Sequence, residues 1–101
     1  MPQRQISVVA RIQAKPGCEE RVRQELLKLL TPTRSEIGCI NYDMHQAIDD
    51  PATFLFYENW TSEEDLERHL AVPHLKAWFA LAPTLLARPV EISRWYRVGQ
   101  A

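Results

Sequence analysis

Thr53-Phe-Leu-Phe-Tyr-Glu-Asn-Trp-Thr-Ser-Glu-Glu-Asp-Leu-Glu-Arg-His69 combines an aromatic strand, a helix start and a histidine in one short stretch. Residues 54–60 are rich in aromatic side chains, as central strands often are. Thr61 stands three residues before Glu64 and Ser62 three before Asp65, a capping box and its acidic variant, so a helix begins at once. Leu66, His69 and Leu70 then share one helical face. The strand feeds a helix whose inward stripe contains a histidine, and the rest of the chain reads as the container for that arrangement.

Working outward, Pro73 interrupts the helix, and residues 74–82 form a further short helix with Leu75, Trp78, Phe79 and Ala82 facing in. Pro83 and Pro89 bracket a loop that carries Leu85 and Leu86. Residues 90–98 alternate as a last strand, with Val90, Ile92, Arg94, Tyr96 and Val98 on one face. Upstream, residues 39–47 also alternate, with Ile40, Tyr42 and Met44 opposite Cys39, Asn41, Asp43 and His45. The Asp49-Asp50-Pro51 turn joins them to the aromatic strand as a hairpin. A helix from Cys18 carries the stripe Val22, Leu26, Leu29, Leu30 and Thr33, and Pro32 ends or kinks it. Lys15-Pro16-Gly17 separates that helix from a first strand, residues 6–14, where Ile6, Val8, Ala10, Ile12 and Ala14 share a face.

The order is β-α-β-β-α-β in one domain over residues 1–101, with its core in 6–98. The fold class is α+β: a ferredoxin-like split βαβ arrangement, a four-stranded antiparallel sheet with helices on one face. Helices cover only one face. The other carries Val9, Leu55, Tyr57 and Trp95, an apolar patch of the kind that marks an interface, so a homodimer packed through the open sheet face is expected.

Composition narrows the function. The chain has 101 residues, 46% hydrophobic and 25% charged, with net charge −1, so it lacks the electrostatic footprint of a nucleic-acid or anionic-membrane partner. No apolar run approaches the roughly 20 residues of a membrane span, and no signal-peptide core is visible, which reads as cytoplasmic. Cys18 and Cys39 lie at opposite ends of the first helix, too far apart for a bridge, and read as free thiols. An RNA-recognition motif shares the element order, but residues 54–60 contain neither glycine nor a basic residue. His69 and His74 are five apart with Pro73 between them, unlike the i, i+4 spacing of helical metal ligands, so no metal is expected. With three glycines and no phosphate loop, no nucleotide cofactor is expected either.

The Lys15-Pro16-Gly17 exit of strand one, Glu36-Ile-Gly-Cys-Ile-Asn-Tyr42 and Phe56-Tyr-Glu-Asn-Trp60-Thr-Ser-Glu-Glu-Asp-Leu-Glu-Arg-His69 together resemble the antibiotic biosynthesis monooxygenase domain over nearly the whole chain. The resemblance is strongest for the small bacterial branch that includes a quinol monooxygenase. It implies the dimeric α+β barrel and a cofactor-independent monooxygenase acting on a quinol or related phenol. Polyketide oxygenases of this family use an asparagine and, four residues later, a tryptophan on strand three. Trp60 fits the tryptophan, but Phe56 replaces the asparagine, which argues against an anthrone substrate. Haem degraders use an asparagine, a tryptophan and a histidine where this chain has Ala10, His69 and Phe79.

His69 is the leading catalytic candidate, since an imidazole suits proton transfer near neutral pH; Trp60 is the second. Glu58 shares the strand parity of Trp60 and is read as substrate-binding, or else as an ion-pair partner of Arg94 or Arg11. Arg94 is read as a partner for an anionic substrate, and Asn41 and His45 as lining either the pocket or the dimer seam. His74 reads as a helix-start residue, and Trp78 and Phe79 as core. Besides oxygenation, the scaffold suits a small-molecule isomerase or a non-catalytic binding or sensing dimer.

Overall fold

The computed structural model describes residues 4–99. Its elements are β1 (Ile6–Gln13), α1 (Glu19–Leu27), α2 (Leu30–Arg34), β2 (Cys39–Gln46), β3 (Thr53–Trp60), α3 (Glu63–Leu70), α4 (Pro73–Leu85) and β4 (Glu91–Trp95). The strands form one sheet in the order β2-β3-β1-β4, every neighbouring pair antiparallel. This is the expected ferredoxin-like split βαβ fold. Ile6, Val8, Ala10 and Ile12 are buried beneath the helices with Phe54, Phe56 and Trp60, while the alternate residues of β1 remain partly exposed. Val22, Leu26, Leu29, Leu66, Leu75 and Trp78 supply the helix side of the core. Cys18 and Cys39 are free thiols. No helix among the described residues is long and apolar enough to cross a membrane.

Four local departures from the sequence expectation have physical causes. The first helix breaks at Lys28–Leu29, ahead of Pro32, because proline offers no amide to the carbonyl of Lys28 and the chain tightens through a Leu29 N–H bond to Leu26 at 3.0 Å. In β2 the register shifts between Cys39 and Asn41; Ile40 is extruded to 50% exposure, and Cys39 takes the place opposite Trp60. α4 continues through Pro83 to Leu85, so Leu85 and Leu86 belong to the core rather than to a loop. β4 stops at Trp95, since Trp95 already pairs with Ser7 and β1 has almost no residues left for 96–98.

The turn from β3 into α3 is held by Asp65. Ser62 is the N-cap, and its hydroxyl accepts from the Asp65 amide at 3.2 Å, so the acidic variant of the capping box prevails over the Thr61–Glu64 pair. The Asp65 carboxylate accepts from the Thr61 hydroxyl, from Ser62 Oγ at 3.1 Å and from Arg68 at 2.7 Å, and these donors, Thr61 first, hold its carboxyl below the usual range. Gly38 fits against it with φ +83°, where a Cβ would lie 2.2 Å from Asp65 Oδ2.

Candidate active site

Period-two geometry puts Glu58 and Trp60 on the helix-covered face of β3. Glu58 stands between Val8 of β1 and Tyr42 of β2. Only 4% exposed, it forms no ion pair with Arg94 or Arg11 among the described residues; its Oε1 accepts from Trp60 Nε1 at 2.9 Å. Burial pushes the Glu58 carboxyl up to about 7, against the Trp60 hydrogen bond and with help from the Glu36 charge. A carboxyl so tuned can both take and return a proton near neutral pH.

His69, on the last turn of α3, is 2% exposed. Its ring lies 4.6 Å from the Trp60 ring and 5.5 Å, edge-on, from Tyr42. Nδ1 is 2.9 Å from Glu36 Oε2. Burial lowers the His69 pKa, opposed by the Glu36 carboxylate. Tyr42, stacked on Phe56 at 4.6 Å, is pushed far up by burial and stays a phenol.

Tyr42, Glu58 and His69 meet at a cavity of about 30 Å³, otherwise walled by apolar side chains including Phe56, Leu66 and Trp78. A larger hollow of about 380 Å³, walled by Leu86, Arg88 and neighbours, adjoins it, and Phe79 and Val90 line both. Trp60 is wholly buried and does not line the inner cavity; its ring packs against His69 and its indole N–H holds Glu58.

The structure separates the other candidates from this group. Asn41 faces the open side of the sheet, where its Oδ1 accepts from Asn59 Nδ2 at 2.8 Å and its amide donates to Asp43 and to the Tyr57 carbonyl. His45 lies exposed on the same side, across from Leu55. β2 parity therefore turns both away from the cavity and leaves them on the face expected to be the dimer seam. Arg94, on the short edge strand β4, is exposed and reaches Glu67 at 3.4 Å instead of Glu58.

Two further residues of the site, Glu36 and His74, do not stand out in the sequence. Glu36 precedes Gly38 in the α2–β2 connection, and a lone glutamate there has no periodicity to betray it. His74 Nε2 lies 3.0 Å from the same Glu36 Oε2 and 3.1 Å from Thr33 Oγ1. A five-residue spacing keeps His69 and His74 apart only on one continuous helix. Here the chain breaks at Ala71–Val72; Val72 is extended, as a residue before proline prefers, and Pro73 opens α4. That break turns both imidazoles onto one carboxylate.

Fold and site define a ferredoxin-like α+β domain with a buried acid–histidine pocket between sheet and helices. The chain belongs to the antibiotic biosynthesis monooxygenase family, whose sequence profile matches residues 5–81. Among curated proteins, "Putative monooxygenase Rv0793" of Mycobacterium tuberculosis is 34% identical over 88 residues, covering 87% of this chain and 86% of that protein. "Probable quinol monooxygenase YgiN" of Escherichia coli is 30% identical over 83 residues, 72% of this chain and 80% of that one. A Synechocystis protein described as uncharacterized is 32% identical over 95 residues, but this chain spans only 64% of its length. The crystal structure of PA3566 from Pseudomonas aeruginosa superposes with a TM-score of 0.91 at 33% identity, covering 98% of this chain and 99% of that one.

Proposed function

We infer that this chain is a cofactor-independent monooxygenase acting on a quinol or related phenol in the pocket between sheet and helices. The observation that carries this reading is Glu58: a buried carboxyl poised at about 7 inside an otherwise apolar cavity, beside a histidine. Family membership and the monooxygenase names of its relatives support it. Glu58 takes the proton of a substrate hydroxyl. The resulting anion passes one electron to dioxygen, the radical pair joins at a ring carbon as a peroxide anion, and Glu58 returns its proton to give a hydroperoxide. Loss of water leaves a carbonyl, so a quinol and O₂ become a hydroxyquinone and H₂O. His69 supplies the second polar contact, and the apolar walls keep water from the anion. A quinol needs more room than about 30 Å³, so its binding displaces Phe79 and Val90 toward the outer hollow.

The same reading includes a homodimer. The open sheet face exposes Tyr57 (43%) and Trp95 (58%), which a second copy packed face to face would cover. Oxygen uptake with a panel of hydroquinones, without added flavin or metal, tests the activity. Turnover above buffer autoxidation is expected, and its absence across the panel counts against the assignment.

A further inference from the structure

Glu36, His69 and His74 form a group that the oxygenation chemistry does not use as a unit. They come from three separate segments: the α2–β2 connection, the last turn of α3 and the first turn of α4. Glu36 Oε2, His69 Nδ1 and His74 Nε2 all lie within 4.8 Å of one another, with the carboxylate oxygen 2.9 and 3.0 Å from the two nitrogens. Two imidazole nitrogens aimed at one carboxylate oxygen can be joined in two ways. Either each ring carries its proton on the nitrogen facing Glu36, or one divalent cation replaces both protons.

Geometry and surroundings suit the cation. Ligand atoms around a tetrahedral ion with bonds of about 2.0–2.1 Å stand about 3.3 Å apart. The two edges to Glu36 lengthen by a few tenths of an ångström, and the nitrogen–nitrogen edge, within 4.8 Å, closes to match as the partly exposed His74 ring moves in. Two imidazoles and one carboxylate are a donor set for zinc and other first-row divalent ions, with a position left for water. Thr33 Oγ1, 3.1 Å from His74 Nε2, adds a neighbouring oxygen. Glu36 is half-buried, and its backbone is held by its N–H bond to the Thr33 carbonyl at 3.0 Å and by the Cys39 N–H on its own carbonyl at 3.2 Å. His74 is only partly covered, with 26% of its side chain exposed, which leaves a path from solvent.

We propose that Glu36, His69 and His74 bind one first-row divalent cation, zinc by donor set, which staples the α2–β2 connection to the α3–α4 corner. With Nδ1 on the ion, Nε2 carries the only N–H of the His69 ring and becomes a donor; with Nδ1–H given to Glu36, Nε2 is an acceptor. The ion thus sets which partner His69 can offer. The ion site stands independently of the oxygenase reading.

The test uses the full chain stripped with EDTA and titrated with Zn²⁺ alone by calorimetry, with Co²⁺ absorption as a reporter of coordination. One ion per chain is expected, with a rise in Tm of roughly 10 °C at a hundredfold excess over Kd. Glu36→Gln and His74→Gln should each weaken Zn²⁺ binding about tenfold or more, while His45→Gln, on the open face, should leave it unchanged. If His74→Gln folds poorly, Glu36→Gln carries the test, because it keeps the side-chain shape and a hydrogen-bond acceptor. No saturable binding up to millimolar Zn²⁺, or binding that survives both substitutions, overturns the proposal. No substrate is present in any arm, so failure here leaves the oxygenase assignment standing, and failure of oxygen uptake leaves the ion site standing.

Discussion

Replacing Glu58 with glutamine separates the charge of this side chain from its shape. In Glu58→Gln the amide oxygen can still accept from Trp60 Nε1, and the volume is conserved, so the cavity wall should persist. Burial raises the folded-state pKa of the parent carboxyl to about 7 from an ordinary 4.5. A carboxyl raised in this way holds more protons in the folded than in the unfolded state between those values. Its contribution is therefore fully present below about pH 4.5 and is lost as pH rises through about 7. The full gap corresponds to roughly 3 kcal/mol, of which about 2 kcal/mol or slightly more falls between pH 5 and pH 8. Urea unfolding of both proteins at pH 5 and pH 8, at fixed protein concentration, measures it. The stability of Glu58→Gln relative to the parent should be about 2 kcal/mol more favourable at pH 8 than at pH 5. Taking this double difference cancels the other titrating groups, Asp65 and His69 among them. A value below about 0.5 kcal/mol would refute the claim that Glu58 is buried without a cationic partner. In the oxygen assay the same change should lower kcat/KM by about 10² to 10⁴, the usual worth of a general base.

Trp60→Phe removes the one hydrogen bond that lowers the Glu58 pKa, so the acid limb of the kcat/KM profile should move to higher pH; an unmoved limb would show that Glu58 is not the titrating base. Gly38→Ala drives a Cβ into Asp65 at a φ of +83°, and urea unfolding should register a loss of about 2 kcal/mol or more. Trp95→Asp puts a charge on the open sheet face and should shift the molecular mass measured by light scattering from dimer toward monomer, with the cavity chemistry untouched in any residual assembly.

Legibility in the sequence follows periodicity. The β-α-β-β-α-β order, the hairpin, and the shared face of Glu58 and Trp60 all come from repeats of two or 3.6 that the chain keeps over several residues. Sequence and structure part where that regularity stops. Alternation places Ile40 on the buried face, and nothing in its neighbours announces the bulge that extrudes it. Pro83 looks like the end of α4, yet proline terminates a helix only where the freed carbonyl and the ring find no room in the packing around them. The site is half legible. His69 stands out on an apolar stripe, but its partner Glu36 is 33 positions upstream in a connection, and only the fold joins them. His74 is hidden by a spacing rule that holds for unbroken helices. Asn41 and His45 share one face, as alternation requires, but parity alone does not decide which face holds the pocket.

Phe79 and Val90 stand between the inner and outer hollows, and this has a kinetic consequence. On the proposed reading, a quinol that waits for two packed side chains to part cannot bind faster than they part. Its observed association rate should rise with concentration and then level off at the opening rate. On the oxygenase reading proposed above, product leaves through the same partition, and a wall that parts more slowly than Glu58 moves its proton would set kcat.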